Sequence, residues 1–197
     1  MISLFWVDSL VILWVASAIV VNIPFAGQSY MQKVAYRPPN STQKNTTVSP
    51  GLPTRLSIPS LHIVATIESV GSAKDGSMGV PKRASDVAWF APWTRPGGVG
   101  SAVIAGHLDD VKGRPAIFEH LKELKPGDLV NVSDDLGVLR TFVVRSTKEY
   151  GVDDSTDSIF APWSSSNLNL ITCSGKWNKS RQIYNKRFVV FTELIKK

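Results

Sequence analysis

Residues 168–194 read LNLITCSGKWNKSRQIYNKRFVVFTEL. Two runs rich in β-branched and aromatic residues, Leu168–Cys173 and Arg187–Leu194, flank a basic segment that begins at Ser174-Gly175. Short runs of this kind bounded by turn residues read as strands. The same punctuation recurs upstream. Arg55–Ile58 stops at Pro59, His62–Val70 stops at Gly71, and Gly98–His107 carries the run AVIAGH. Leu129–Val132 follows Pro126-Gly127-Asp128, and Val138–Thr147 is entered through Leu136-Gly137. The pattern predicts an all-β fold, a closed β-barrel of seven to eight strands. Helical spacing is confined to one or two short stretches. Ile117, Leu121 and Leu124 share a face over Pro115–Leu124, behind a proline suited to a first turn. Ser155–Ala161 is the second candidate.

The first third of the chain is different. Ser9–Ala26 reads SLVILWVASAIVVNIPFA. A helix of this length just spans the hydrocarbon layer of a bilayer. Residues 1–32 therefore read as an N-terminal apolar helix, a membrane anchor or a cleaved signal. The first Lys or Arg is Lys33, so the basic start of a signal peptide is missing. Lys33 and Arg37 follow the span, and the positive-inside rule taken alone would put the rest of the chain in the cytoplasm. Residues 33–53, rich in Pro, Ser, Thr and Asn, read as a disordered linker. Residues 54–197 form the expected folded domain.

Composition narrows the function classes. The chain has 197 residues, of which 43% are hydrophobic and 19% charged, a globular balance. One cysteine excludes an internal disulfide and a multi-cysteine zinc site. No glycine-rich phosphate loop is present. The formal charge of +6 suits an anionic surface such as a bacterial wall or membrane, and is modest for a nucleic-acid-binding domain. Asp153, Asp154 and Asp157 cluster in one loop, but their spacing is not that of a calcium-binding loop, and no metal or cofactor is expected.

Three residues suit covalent chemistry. Cys173, the only thiol, ends a strand-like run and is followed by Lys176, Lys179, Arg181, Lys186 and Arg187 with no acid among them. Nearby cations lower a thiol pKa and favour the nucleophilic thiolate. His107 ends another apolar run, and imidazole suits proton transfer to a leaving amine near neutral pH. His62 and His120 read as structural. Arg187 opens the last predicted strand, and its guanidinium can stabilise an oxyanion.

Together these positions resemble the sortases, membrane-anchored cysteine transpeptidases of Gram-positive bacterial surfaces. The family's T-L-x-T-C signature is met by Asn169-Leu170-Ile171-Thr172-Cys173, except that Asn169 replaces the first Thr. Ala105-Gly106-His107 matches the strand-ending histidine, and Lys186-Arg187-Phe188-Val189-Val190 matches the arginine of the last strand. Trp89-Phe90, Pro96-Gly97-Gly98 and Gly113–Phe118 are similar to class E and F enzymes. One departure is that Asn185, not an arginine, follows Tyr184, which leaves Arg181 as a rival to Arg187.

The resemblance implies a reaction. Cys173 attacks the Thr–Gly carbonyl of an LPXTG-like sorting signal, His107 protonates the leaving amine, and Arg187 holds the oxyanion. A cell-wall or pilin amine then resolves the thioester. Thr172, Ile171 and Asp109 are the implied substrate-binding residues, and Asp109 or Asp110 orients His107. The implied location is the cell membrane, single-pass, with the catalytic domain outside. Two other readings remain from the residues. One is a cysteine hydrolase on the same barrel. The other is a binder of anionic polymer through Trp177 and Tyr184 within the basic segment Lys176–Arg187.

Overall fold

The computed structural model describes residues 49–196. The expected apolar helix and most of the linker lie outside them. Among the described residues no helix is long and apolar enough to cross a membrane. Period-two patterning builds the sheet. Ile63, Ala65 and Ile67 of β2 (Ile63–Val70) are buried while Val64 and Thr66 between them are exposed. Successive side chains of a strand point to opposite faces, so one face of β2 becomes core. The remaining strands are β1 (Pro53–Ile58), β3 (Val87–Phe90), β4 (Gly100–Gly106), β5 (Leu129–Asp134), β6 (Leu139–Gly151), β7 (Ser166–Asn178) and β8 (Ile183–Leu194).

Eight strands close a barrel in the order β1-β2-β3-β4-β7-β8-β6-β5, and β5 pairs back onto β1. The pairs β2–β3 and β4–β7 are parallel. A parallel pair needs a long crossover, and β5 and β6 lie within the one that leads from β4 to β7. The interior is filled by Leu56, Ile104, Phe118, Val130, Phe142, Leu168, Leu170 and Val190 among others, all fully buried. Burying each such Leu, Ile or Phe contributes about 1.5–3 kcal/mol. A second cluster of Val103, Tyr150, Ile159 and Val189 lies on the outer face of β4, β6 and β8. Hence β4 is buried on both faces, and its sequence reads as a continuous apolar run.

The structure corrects several expectations. Pro115–Leu124 is not a helix; only Leu121–Glu123 forms a 3₁₀ turn. Its amides go elsewhere. Ala116 N–H donates to Leu108 O, Ile117 N–H to Ala84 O and Phe118 N–H to His107 O. The apolar spacing is real, since Phe118, Leu121 and Leu124 are buried, but it serves a loop pinned across the barrel end. Ser155–Ala161 is likewise a single turn. Asn169 Nδ2 takes the Ile159 carbonyl at 2.6 Å and Ser101 Oγ takes that of Ala161 at 2.9 Å. Asn169, the departure from the signature, thus ties down this loop. β3 was not expected as a strand. β7 and β8 run further than expected, because their hairpin continues past an irregularity between Ser174 and Trp177 to pair Trp177 with Tyr184 and Asn178 with Ile183. Gly175 sits there at φ +79°, and Asn185 Oδ1 accepts from Lys176 N–H where a β-carbon on Gly175 would stand.

Candidate active site

Cys173 therefore lies within β7 and Arg187 within β8, not at the strand ends, and the two are directly paired in register. On β7 the side chains alternate. Leu170 is packed in the barrel interior and Thr172 is buried, while Ile171 and Cys173 share the outer face and are half-buried. On β8, Arg187 shares its face with Val189 and Phe191, which belong to the outer apolar cluster.

His107 follows the last residue of β4. Its backbone carbonyl accepts from Phe118 N–H. Gly106 before it must be glycine, because a β-carbon would stand 2.4 Å from the Phe118 ring. The Thr172 hydroxyl donates to Gly106 O at 2.9 Å. A buried polar group of this kind is satisfied at the seam between the strand of the thiol and the strand of the histidine. The His107 Nε2 lies 2.8 Å from Pro81 O in the segment between β2 and β3. A carbonyl only accepts, so Nε2 carries the hydrogen in this contact.

These segments surround one cavity of about 580 Å³, lined by Cys173, His107, Arg187, Ile171 and Thr172. Its wall is apolar. Phe90 and Trp93 each meet Phe160 edge to face, with ring centroids 5.9 and 5.7 Å apart. Among the three histidines only His107 lines this cavity. His62 caps a 3₁₀ turn with φ +54°. His120 is exposed and held by Glu123 at 2.7 Å and Glu119 at 3.2 Å. Arg181 is exposed at the hairpin tip. Arg187 Nη1 donates to Tyr184 O at 2.9 Å and to Lys186 O at 2.8 Å.

The thiol does not sit as low as the basic run suggested. Burial pushes the Cys173 thiol up, the Arg187 guanidinium pulls it down, and the Asp109 carboxylate adds to the rise; the net is upward. Of the basic residues expected to act on the thiol, Arg187 is the one that does. Neither acid orients His107. Asp110 accepts from Arg114 and from the backbone of Lys112 and Arg114. Asp109 accepts from the Tyr184 hydroxyl and lines a neighbouring recess with it, outside the cavity of the thiol.

Three contacts escaped the sequence. Pro81 O carries no side-chain signal. The Asp109–Tyr184 bond joins positions 75 apart. Glu149 accepts from Ser174 Oγ at 2.6 Å and Lys186 Nζ at 2.9 Å, and these bonds hold its carboxyl below the usual range. A cross-strand pattern on β6, β7 and β8 would have revealed the last only once the register was known. Among the described residues no group of His, Cys, Asp or Glu is arranged to hold a metal ion. Asp154 of the acidic loop accepts from the Gly151 amide.

The sequence matches the family model of the sortase domain over residues 56–195. No curated protein matches it by sequence. Similar solved structures include sortase C-1 from Actinomyces oris, with a TM-score of 0.58 and 24% identity over 73% of this chain and 74% of that one. Sortase A from Listeria monocytogenes has a TM-score of 0.56 and 20% identity over 75% of this chain and 89% of that one. Sortase C from Clostridium perfringens SM101 has a TM-score of 0.55 and 20% identity over 75% and 72%. These likenesses show the fold, and the family model shows membership. With its barrel and its single cysteine, the chain belongs to the sortase family.

Proposed function

We propose that the chain is a cysteine transpeptidase acting on LPXTG-like sorting signals through Cys173, His107 and Arg187. The observation that carries this is the convergence of the only thiol, one histidine and one arginine on a single apolar-walled cavity. The Cys173 thiol passes its proton to His107, the thiolate adds to the Thr carbonyl carbon, and the charge on the carbonyl oxygen is held by Arg187. The C–N bond to Gly breaks as His107 gives its proton to the leaving amine. A wall or pilin amine then attacks the thioester, loses its proton to His107, and releases the thiolate. Ile171 contributes an apolar wall to the groove. Thr172 turns its hydroxyl away to Gly106, so it acts by holding His107's strand to that of the thiol.

The reading extends to setting. Residues 1–32 serve as a single membrane span and the linker that starts at residue 33 as a tether; the catalytic domain at the outer face begins earlier than residue 54, because Pro53 opens β1 and the Gly51 amide donates to Asp134. The class E/F-like assignment rests on the Trp89-Phe90, Pro96-Gly97-Gly98 and Gly113–Phe118 motifs.

Mass spectrometry of the protein mixed with an LPXTG peptide tests the reading. A thioester on Cys173 that is discharged to an added amine supports it, with Cys173→Ala as the blank. Hydrolysed peptide alone, amine present or absent, would make the chain a hydrolase. Salt-sensitive binding without any adduct would make it a polymer binder.

A further inference from the structure

Asp109 lies two residues beyond His107 on the segment leaving β4, and Tyr184 lies three before Arg187 on β8. The strands β4 and β8 are not neighbours; β7 with Cys173 runs between them. On the side of the thiol, ladder hydrogen bonds thus relate the histidine strand to the arginine strand by way of β7. The last β4–β7 pair is Ala105 with Ile171, so His107 stands beyond the ladder. The Tyr184 hydroxyl donates to Asp109 Oδ2 and closes this gap. Each end of the bond is fixed. The Asp109 backbone bridges to Pro115, and the Tyr184 ring packs edge to face on Trp177 at 5.2 Å. The Tyr184 carbonyl accepts from Arg187 Nη1.

We propose that Asp109 and Tyr184 are a positioning pair, which holds the His107 loop and the Arg187 guanidinium at a fixed separation across the thiol. The proposal rests on the transpeptidase reading above. Geometry supports it, because misplacing a reacting group by a fraction of its length costs rate rather than binding. The bond also leaves an optical mark. Its hydrogen bond to Asp109, with burial, pushes the Tyr184 phenol up to about 12.

The test compares the wild-type protein with Asp109→Asn, Tyr184→Phe and the double variant in transfer of an LPXTG peptide to an amine. Each single variant should lose about tenfold in kcat with KM changed by less than about twofold, since the pair orients groups and does not touch substrate. The double variant should lose no more than either single, because the two residues form one unit. Multiplicative losses, or a full kcat in both singles, would overturn the pair. An ultraviolet difference titration reads the bond without any turnover. One phenol should move from about 12 toward its ordinary value of about 10 in Asp109→Asn. An unmoved titration also overturns the proposal. If Asp109→Asn unfolds its loop, Tyr184→Phe, which removes a single hydroxyl, carries the kinetic comparison. Wild-type protein that forms no thioester would remove the transpeptidase reading. Active wild type with unaffected variants would remove only the pair.

Discussion

Cys173 and Arg187 face each other across the β7–β8 pair, and Tyr150 of β6 is Arg187's partner on its other side. Directly opposed residues carry their β-carbons about 4.5–5.5 Å apart on the same face. The root of the Arg187 side chain is therefore fixed in the sheet opposite Cys173, and its charge opposes the upward push of burial on the thiol.

That pairing separates charge from donor geometry. Arg187→Ala removes the cation that favours the thiolate, so the thiol rises further and the pH limb of iodoacetamide alkylation moves alkaline. Arg187→Lys keeps the charge and leaves the limb near wild type. It loses the planar fork, and kcat should fall about a hundredfold, about 2.7 kcal/mol. Arg181→Lys at the exposed hairpin tip should be silent in both assays. Equal losses at Arg181 would shift the assignment to the loop.

The histidines give a second contrast. His107→Ala should lose about a hundredfold or more in kcat/KM, the usual worth of a positioned acid–base group. His120→Ala and His62→Ala should stay within about twofold, because neither lines the cavity of the thiol. His62 sits at φ +54°, so His62→Gly should hold or raise the melting temperature. A kinetic deficit at His120 comparable with that at His107 would reassign the proton donor.

Thr172→Val keeps the shape of a buried side chain and removes the hydroxyl that donates to Gly106 O. The orphaned carbonyl should cost about 1–2 kcal/mol in urea unfolding. Gly106 precedes His107, so kcat should fall as well, and Thr172→Ser should restore both. Full activity in the valine variant would show that β4's end is held without this bond.

The legible part of the molecule is the part where pattern is local. The runs of Leu168–Cys173 and Arg187–Leu194 are readable because aliphatic, β-branched and aromatic residues dominate them and no Gly or Pro interrupts them. Their extension past Ser174 is not, because Gly175 and the lysines resemble a loop until Trp177 is seen against Tyr184. Ile117, Leu121 and Leu124 fit a helical period, yet the amides of residues 116–118 were claimed by carbonyls at Leu108, Ala84 and His107. Propensity does not record such long-range competition. Motif and order single out Cys173, His107 and Arg187, and the fold brings all three to one cavity. They do not single out the Pro81 carbonyl or the Asp109–Tyr184 bond, since nothing in a single sequence marks residues that meet only after barrel closure.

Away from the cavity, Asp134 at the end of β5 gives a stability test. Its side chain is 2% exposed and that of Arg140 15% exposed, with Nη1 2.5 Å from Oδ2. Burial pushes the carboxyl up, but Arg140 and the amides of Val138 and Gly51 more than reverse it, leaving Asp134 below the usual carboxylate range. A folded value below the unfolded one, about 3.9, means that the contribution is present above that pH and is lost as pH falls through the folded value. Arg140→Met strands a buried carboxylate and should cost about 3 kcal/mol at pH 7 in urea unfolding. Without the guanidinium the carboxyl takes up a proton more readily, so the gap to wild type should shrink as the pH is lowered. Asp134→Asn in the same background should recover part of the loss at pH 7. A gap independent of pH would mean that Arg140 stabilises by packing alone, where its stem lies against Gly97.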